Sequence, residues 1–349
     1  MQNDRQGNGN GAADPSRIFE IGFGFFASKV LLTAATLELF TILSDRATTG
    51  AELGRAMGLH PRGVADFLDA LVALGFLERE GDGEHGLYRN TELAARFLDK
   101  ASPDYIGGIL EMCDARLFGF WNDLGEALRT GRPQNEIKHG GRSIFEELYA
   151  DPRRLEQFVE AMAGVSRGNF RALAGTFDFS AHDTLCDLGG ASGLLAVTVA
   201  RHHPHMRCIT FDLPAVEPIA RRTIERAGLD GRVTAHSGDF FTDPLPPADI
   251  YTASLILHDW SLAKKKALIG RVHAALPEGG AFIAIENLID DGRRHNAFGL
   301  LMSLNMLVET GDGFDFSGAD FRSWCLEAGF RHCEVRPLTG PSSAAIAYK

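Results

Sequence analysis

The sequence predicts an α/β protein: a mostly parallel sheet in the C-terminal half, preceded by a helical domain of winged-helix type. Three observations support this. Strand-like and helix-like segments alternate from residue 177 onward, a glycine-rich turn follows the first of those strands, and a helix–turn–helix–hairpin pattern lies upstream. With 349 residues, the chain is long enough for two domains with cores of their own.

The N-terminal region predicts a tail and a compact domain. Residues 1–16 are rich in Gly, Asn and Asp, which predicts disorder. Residues 17–100 predict the winged-helix domain, in which Thr49 caps a short helix and "GDGEHGLYRN" forms a hairpin tip. From Ala51 to Asn90 there are four Arg against seven Asp or Glu, a poor balance for DNA binding. We therefore expect a dimerisation or substrate-lid module, with a ligand-sensing DNA-binding regulator as the alternative.

Composition also bears on partners and compartment. The formal net charge of -11 disfavours nucleic acid and anionic membranes. The apolar stretch from Ile18 to Leu43 contains Glu20, Lys29 and Glu38, so we expect a helix buried at a subunit interface and no membrane span. Five cysteines without a C-x-x-C spacing fit reduced thiols, and we expect a cytoplasmic protein.

The glycine-rich turn predicts a ligand site. Residues 101–176 predict a helical connector and residues 177–349 the α/β domain, whose first strand and helix read "TLCDLGGASGLLAVTVA" from residue 184. A dinucleotide site needs G-x-G-x-x-G, which Gly189, Gly190 and Gly193 do not supply. The order is D-x-G-x-A-x-G, with Asp187 two residues before the first glycine. This suits a ligand without a pyrophosphate but with a positive sulfonium and ammonium, namely S-adenosylmethionine.

Two further strand ends support the same ligand. Asp212 and Leu213, in "CITFDLP", end the second strand, where an acid can bind both ribose hydroxyls. Asp239 and Phe240, in "HSGDFF", end the third strand, where an acid and an aromatic ring can hold an adenine. Since ligands of open α/β sheets bind at the carboxyl ends of the strands, we expect these residues to line one cofactor site.

The next strands carry candidate catalytic groups. His258 follows the fourth strand in "LILHDW", and an imidazole can accept a hydroxyl proton from an acceptor such as a phenol, whose pKa is about 10. Glu286 ends the fifth strand, where its carboxylate could hold the imidazole tautomer. The alternative is that His258 only caps the helix that begins near Ser261.

The segments "DLGGASG", "FDLP", "GDFF" and "LHDW" resemble those of the small-molecule O-methyltransferases of plants and bacteria, the family of caffeic acid and acetylserotonin O-methyltransferases. The likeness covers roughly residues 17–349. It implies a Rossmann-like methyltransferase domain, S-adenosylmethionine as co-substrate, a small-molecule acceptor, no metal, and a homodimer formed through the winged-helix domain. It makes His258 the general base, Glu286 the first of two flanking acids, and Asp259 a contact of the acceptor or of the base.

The sequence departs from the family pattern at three places. Ala191 stands where the third glycine is usual, and Ser254 where plant members carry a lysine. The second flanking acid falls in "GDGFDFSGAD", so Asp315 is the nearest match and Glu309 an alternative. These departures bear on the acceptor chemistry more than on the cofactor.

The resemblance also implies an acceptor pocket. A helix in "AFGLLMSLNMLVETG" presents one face to it, and the connector 101–176 serves as its lid. The predicted pocket residues on these two segments are Met302, Asn305, Met306 and Glu309, with Met112, Arg116 and Trp121. Arg116 could pair with an acceptor carboxylate or form a structural ion pair. The run Lys264–Lys266 predicts a solvated helix face.

The function predicted is methyl transfer from S-adenosylmethionine to a small molecule, at a hydroxyl oxygen. S-methylation of a carboxylated thioether of the methylthio-hydroxybutyrate type, as in dimethylsulfoniopropionate synthesis, is an alternative that would need a cation for the carboxylate and no base. N- or C-methylation on the same scaffold is a further alternative.

Overall fold

A computed structural model describes residues 13–140, 148–149 and 151–349 of the chain. The chain forms two compact units, Met1–Asp114 and Ala115–Lys349. Of the predicted tail at residues 1–16, residues 1–12 lie outside the described part, and Ser16 already begins the first helix.

The N-terminal unit contains a helix pair followed by a hairpin, as the sequence predicts. Its helices are α1 (Ser16–Gly22), α2 (Gly24–Thr36), α3 (Leu39–Ile42), α4 (Gly50–Ala56), α5 (Pro61–Ala73), α6 (Glu92–Phe97) and α7 (Gly107–Met112). Strands β1 (Thr48–Thr49), β2 (Leu77–Glu80) and β3 (Leu87–Asn90) form an antiparallel sheet in the order β1-β3-β2. Thr49 caps α4, where its hydroxyl accepts the Glu52 N–H and the Glu52 carboxylate accepts the Thr49 N–H.

The first two helices carry an exposed apolar surface. The stretch Ser16–Thr36 is long and apolar enough, by length and composition, to cross a membrane, with a mean hydropathy of 1.5. Only 17% of it is buried, and Phe23 separates α1 from α2. The exposed side chains, here called the N-terminal apolar surface, are Ile18, Phe19, Ile21, Phe23, Phe25 and Phe26. In the single chain these side chains are exposed, so burial of this helix at a subunit interface stays a prediction.

The C-terminal unit alternates strands and helices. Its helices are α8 (Phe118–Phe120), α9 (Leu124–Thr130), α10 (Pro152–Thr176), α11 (Leu194–His202), α12 (Glu217–Ala227), α13 (Leu262–Ala275), α14 (Ala297–Glu309) and α15 (Gly318–Ala328). Its strands are β4 (Thr184–Leu188), β5 (Arg207–Asp212), β6 (Val233–Ser237), β7 (Ile250–Ser254), β8 (Ala281–Glu286), β9 (His332–Pro337) and β10 (Ser343–Tyr348). In the predicted connector, the described residues between α9 and α10 include a 3₁₀ turn, Glu136–His139.

The strands form one sheet in the order β6-β5-β4-β7-β8-β10-β9. Strands β4 to β8 are parallel, and β10 runs antiparallel to both β8 and β9. The chain order reverses between β4 and β7, and ligands of such sheets bind beyond the carboxyl ends of the strands at this switch point. The mostly parallel α/β fold predicted for this half is confirmed.

Candidate active site

The turn after β4 brings the backbone close to the switch point. Gly189 and Gly193 have φ of +66° and +74°, a region that favours glycine. At Gly190 a Cβ would lie 2.2 Å from Thr210 Oγ1 on β5, so a side chain there would collide with the neighbouring strand. Ala191 adopts φ 47°, which explains why glycine is usual at this position of the family.

The buried carboxylate of Asp187 and the half-buried carboxylate of Asp212 flank this turn, and both have hydrogen-bond donors. Asp187 accepts a bond from Thr252 Oγ1 at 2.7 Å, and burial raises its pKa to about 7. Asp212 accepts the Ala191 N–H at 2.9 Å through one oxygen and the Leu213 N–H at 2.7 Å through the other. Burial raises the pKa of Asp212 while these two bonds oppose the rise. Asp212 thereby fixes the glycine turn to the end of β5.

The predicted cofactor residues Asp239 and Phe240 lie just beyond the end of β6. Strand β6 ends at Ser237, two residues before Asp239, so the prediction that the pair ends the strand is off by two positions. Asp239 Oδ1 accepts the Phe241 N–H at 2.8 Å, a local turn bond that aspartate commonly makes. Phe240 packs against Phe241 with ring centroids 4.8 Å apart.

These residues surround a cavity of about 340 Å³. All eight predicted cofactor residues except Gly193 line it, and Asp259 lines it as well. One wall is apolar and comes from α10, through Phe158, Met162 and Phe170, which the sequence analysis did not assign. Three carboxylates, from Asp187, Asp212 and Asp239, line a single cavity with aromatic walls. These acceptors and aromatic walls suit a ligand with hydroxyls, a flat base and positive charge, which fits S-adenosylmethionine.

His258 lies in a short turn after β7. The strand ends at Ser254, earlier than predicted, and the chain turns through Leu255 at φ 53°, a strained conformation for a branched residue. His258 then lies in a 3₁₀ turn, Leu257–Asp259, and is 5% exposed. The cap of α13 is the Ser261 hydroxyl, which accepts the Lys264 N–H. His258 therefore does not cap this helix.

Three acids surround the imidazole. Nδ1 of His258 lies 3.6 Å from Glu286 Oε2 and 3.5 Å from Asp315 Oδ1. Nε2, on the other side of the ring, lies 3.5 Å from Asp259 Oδ1. Glu286 and Asp315 are each 1% exposed, and the other oxygen of Glu286 accepts the Leu257 N–H at 2.9 Å. The acids meet from the end of β8, the turn after β7 and the loop after α14.

The charges of this group shift its proton affinities. Burial alone would lower the pKa of His258, but Glu286, Asp259 and Asp315 outweigh it and raise that pKa to about 10. Burial raises the pKa of Glu286 to about 7 against the opposing effect of His258. Burial likewise raises the pKa of Asp259. The four groups are coupled, so a cation placed beside them would push a proton off the imidazole.

Several polar atoms of this group have no hydrogen-bond partner among the described residues: His258 Nδ1, Glu286 Oε2 and both carboxylate oxygens of Asp315. Donor atoms of His258, Glu286 and Asp315 all lie within 4.8 Å of one another, a spacing that a metal ion could also accept. An N–H at Nδ1 of the imidazole faces Glu286 Oε2 and Asp315 Oδ1 and would serve these two oxygens without an ion.

Glu309, the alternative second acid, has a different partner. Arg116 donates to both oxygens of Glu136 at 2.7 and 2.9 Å and to Glu309 Oε2 at 3.2 Å. Glu309 is thus bound to a guanidinium, and the acid beside His258 is Asp315. The same contacts show that Arg116 forms a structural ion pair, the second of the two roles considered for it.

The remaining predicted acceptor residues do not line the cavity described above. Trp121 Nε1 donates to Asn305 Oδ1 at 2.9 Å, which ties the connector to α14. Asn305 and Met306 are buried and Met302 is half-buried. Met112, at the end of α7, belongs to the N-terminal unit and is half-buried. Their role in an acceptor pocket stays a prediction.

The sheet, the cavity and its acids define the class of protein as an S-adenosylmethionine-dependent methyltransferase, and comparison with known proteins agrees. Residues 121–331 match the O-methyltransferase domain and residues 19–100 the O-methyltransferase dimerisation domain. The chain belongs to this O-methyltransferase family. The predicted family, fold class, enzyme class and co-substrate are thereby confirmed.

Individual relatives cover nearly the whole chain. The chain is 42% identical to the tetracenomycin polyketide synthesis 8-O-methyl transferase TcmO of Streptomyces glaucescens, over 96% of this chain and 97% of that one. It is 35% identical to the N,N-dimethyltransferase OxyT of Streptomyces rimosus, over 91% of each. A crystal structure of human N-acetylserotonin methyltransferase with S-adenosylmethionine superposes with a TM-score of 0.90 at 30% identity, over 98% of this chain and 99% of that one.

Proposed function

We propose that this O-methyltransferase methylates a phenolic hydroxyl of a polyketide-derived small molecule, with His258 as the general base. The observation that carries the proposal is the buried imidazole between three carboxylates, beside a cavity that suits S-adenosylmethionine. The acceptor class rests on the 42% identity to an 8-O-methyl transferase of polyketide synthesis.

In this proposal the protein contributes proton removal and orientation. When bound, S-adenosylmethionine supplies the methyl group. Nε2 of His258 takes the hydroxyl proton, since it faces Asp259, which lines the cavity. Glu286 and Asp315 accept the Nδ1 proton, which keeps Nε2 free and stabilises the imidazolium that forms. No metal takes part, so a chelator is expected to leave the rate unchanged.

The cofactor residues have proposed roles by the same reasoning. Asp212 binds the ribose hydroxyls, Asp239 and Phe240 hold the adenine, and Asp187 with the glycine turn faces the amino-acid end. We assign residues 101–176 to the acceptor lid, between the domains at 17–100 and 177–349. The lid residues Arg116 and Trp121 act by holding α14 in place.

We also propose a cytoplasmic homodimer formed through the winged-helix domain. The match to a dimerisation domain over residues 19–100 supports this, together with the N-terminal apolar surface, where Ile18 is 73% and Ile21 64% exposed. Replacing both isoleucines by Asp should convert the dimer to a monomer in light scattering. A dimer that persists in this variant would contradict the assignment of the interface.

The competing acceptors make different demands on the site. A thioether has no proton to lose but needs a cation for its carboxylate, and Arg116 already pairs with Glu136 and Glu309. An amine acceptor, suggested by the relative OxyT, would gain less than a phenol from a base of high proton affinity.

The experiment is transfer of labelled methyl from S-adenosylmethionine to a panel of polyketide phenols, amines and carboxylated thioethers, using the native chain and His258→Ala. We expect label in a phenol, with transfer lost in the variant. Label in a thioether or an amine that survives the substitution would reject the proposed acceptor and base.

A further inference from the structure

Helix α13 contains a buried lysine. Lys265 is 0% exposed, although it lies in a run of three lysines. It shares the buried stripe of the helix with Leu268, Ile269 and Val272, at spacings of three, four and seven residues. The predicted solvated face is therefore wrong at this position. A lysine is rarely buried unless its ammonium has partners.

The Lys265 ammonium connects the two backbone segments that hold the catalytic group. Nζ donates to the Trp260 carbonyl at 2.7 Å and to the Phe314 carbonyl at 2.8 Å, and it lies 3.3 Å from the Phe314 ring centroid. Trp260 directly follows the turn of His258 and Asp259, and Phe314 directly precedes Asp315. One side chain thus fixes the distance between the imidazole and its second acid.

Lys265 also places a positive charge near the three acids around His258. Asp259, Glu286 and Asp315, from three elements, all favour its charged form, while burial lowers its pKa to about 8. In return Lys265 favours the ionised form of Asp259. On α15, which packs against α13, Glu327 pairs with the half-buried Lys266 at 2.6 Å.

We propose that Lys265 is a positioning residue for methyl transfer, which holds the His258 turn against Asp315 and supplies a positive charge beside the surrounding carboxylates. The inference rests on the proposed role of His258. Below about pH 8, where Lys265 is charged, loss of the cation would favour the proton on His258, so less of the basic imidazole would be present at a given pH.

The test compares Lys265→Met with Lys266→Met as the matched control on the same helix. We expect Lys265→Met to lower kcat about 10–100-fold through misplacement of the base, to leave the Kd of S-adenosylmethionine within about twofold, and to move the rising limb of the pH profile of kcat to higher pH. Lys266→Met should match the native enzyme in all three. Lys265→Gln, which keeps two donors without the charge, should recover part of kcat while the pH shift stays.

A native kcat and pH profile in Lys265→Met would overturn the proposal. So would a variant that only melts at lower temperature with an unmoved profile, because a purely structural lysine predicts that. If Lys265→Met does not bind S-adenosylmethionine, Lys265→Gln decides by the same pH criterion. An active His258→Ala enzyme would reject the proposed base, whereas an inactive one beside a normal Lys265→Met would reject only this inference.

Discussion

Two sets of strand ends lie along one edge of the sheet: those of β4, β5 and β6, and those of β7 and β8. The two sets differ in the hydrogen bonds that their carboxylates accept. At the first set, Asp187, Asp212 and Asp239 accept hydrogen bonds from a hydroxyl or from backbone N–H groups. At the second set, the Glu286 carboxylate accepts one hydrogen bond within the described chain, and the Asp315 carboxylate, which joins it from the loop after α14, accepts none. The first set is held in place by local hydrogen bonds, whereas Glu286 Oε2 and Asp315 Oδ1 of the second set face the imidazole Nδ1 of His258.

This difference separates binding from catalysis. Carboxylates that are fixed by local hydrogen bonds can offer their remaining lone pairs to a cofactor without reorganisation. Carboxylates that share one imidazole instead set its proton affinity. We therefore expect substitutions at the first set to change the Kd of S-adenosylmethionine, and substitutions at the second to change kcat and its pH dependence.

The largest effect is expected for His258→Gln. Loss of the base should lower kcat by about 10²–10⁴-fold. The Kd of S-adenosylmethionine, measured by calorimetry, should stay within about twofold, because His258 does not line the cavity. A parallel loss of cofactor affinity would show that the two sets are not separate.

Asp212→Asn is the matching change at the first set. Loss of a charged acceptor for the ribose should weaken the Kd of S-adenosylmethionine by about 10–100-fold. At saturating cofactor, kcat should fall less than about threefold. Asp230→Asn, at an exposed position of the same domain, serves as the control. A selective loss of kcat with native cofactor affinity would contradict the assignment of Asp212.

Glu286→Gln should shift the pH profile. The pKa of His258 is raised to about 10 chiefly by its carboxylates, so the native rate should increase as pH rises above 7. Removal of one carboxylate lowers that pKa, and the rising limb of kcat should move down by about 1–2 pH units, while Asp315 still accepts the Nδ1 proton. The exposed pair of Glu278 and Arg331 offers Glu278→Gln as a control. If the rising limb of the pH profile did not move in Glu286→Gln, Glu286 would not influence the pKa of His258.

The smallest effect concerns the glycine turn. Ala191 has φ 47°, a conformation that is higher in energy for an alanine than for a glycine. Ala191→Gly should raise the free energy of unfolding by about 0.5–1 kcal/mol, since relief of strain exceeds the added freedom of the unfolded chain. Ala200→Gly, inside α11, should lower it by about 1 kcal/mol. Urea denaturation measures both, and a destabilised Ala191→Gly would refute the strain.

Much of the cofactor side could be predicted from the sequence, because each strand end there is marked by a local pattern. The strand that contains Asp187 and the strand ending at Asp212 were placed correctly, since short apolar runs and glycines define them. Asp239 was predicted at the end of the third strand, but that strand ends two residues earlier, at Ser237. The S-adenosylmethionine class follows from these local signals together with the family resemblance.

The acidic group around His258 was harder to predict, because its members come from distant segments. The choice between Asp315 and Glu309 depends on which of them meets Arg116, and the pairing of Arg116 with Glu309 spans 193 residues. The apolar cavity wall formed by α10 has no sequence motif that would have predicted it. Lys265, by contrast, had a signal: its spacing from Leu268, Ile269 and Val272 places it on the apolar face of α13.

The most direct test of the central claim, that His258 removes the acceptor proton, varies the acidity of the acceptor. Methyl transfer to a phenol that is protonated at the assay pH is compared with transfer to an analogue already ionised there, for the native enzyme and His258→Ala. If His258 is the base, the substitution should lower the rate of methyl transfer about 10²–10⁴-fold with the protonated phenol and far less with the ionised one. An equal loss with both acceptors would contradict the claim and leave His258 a structural role.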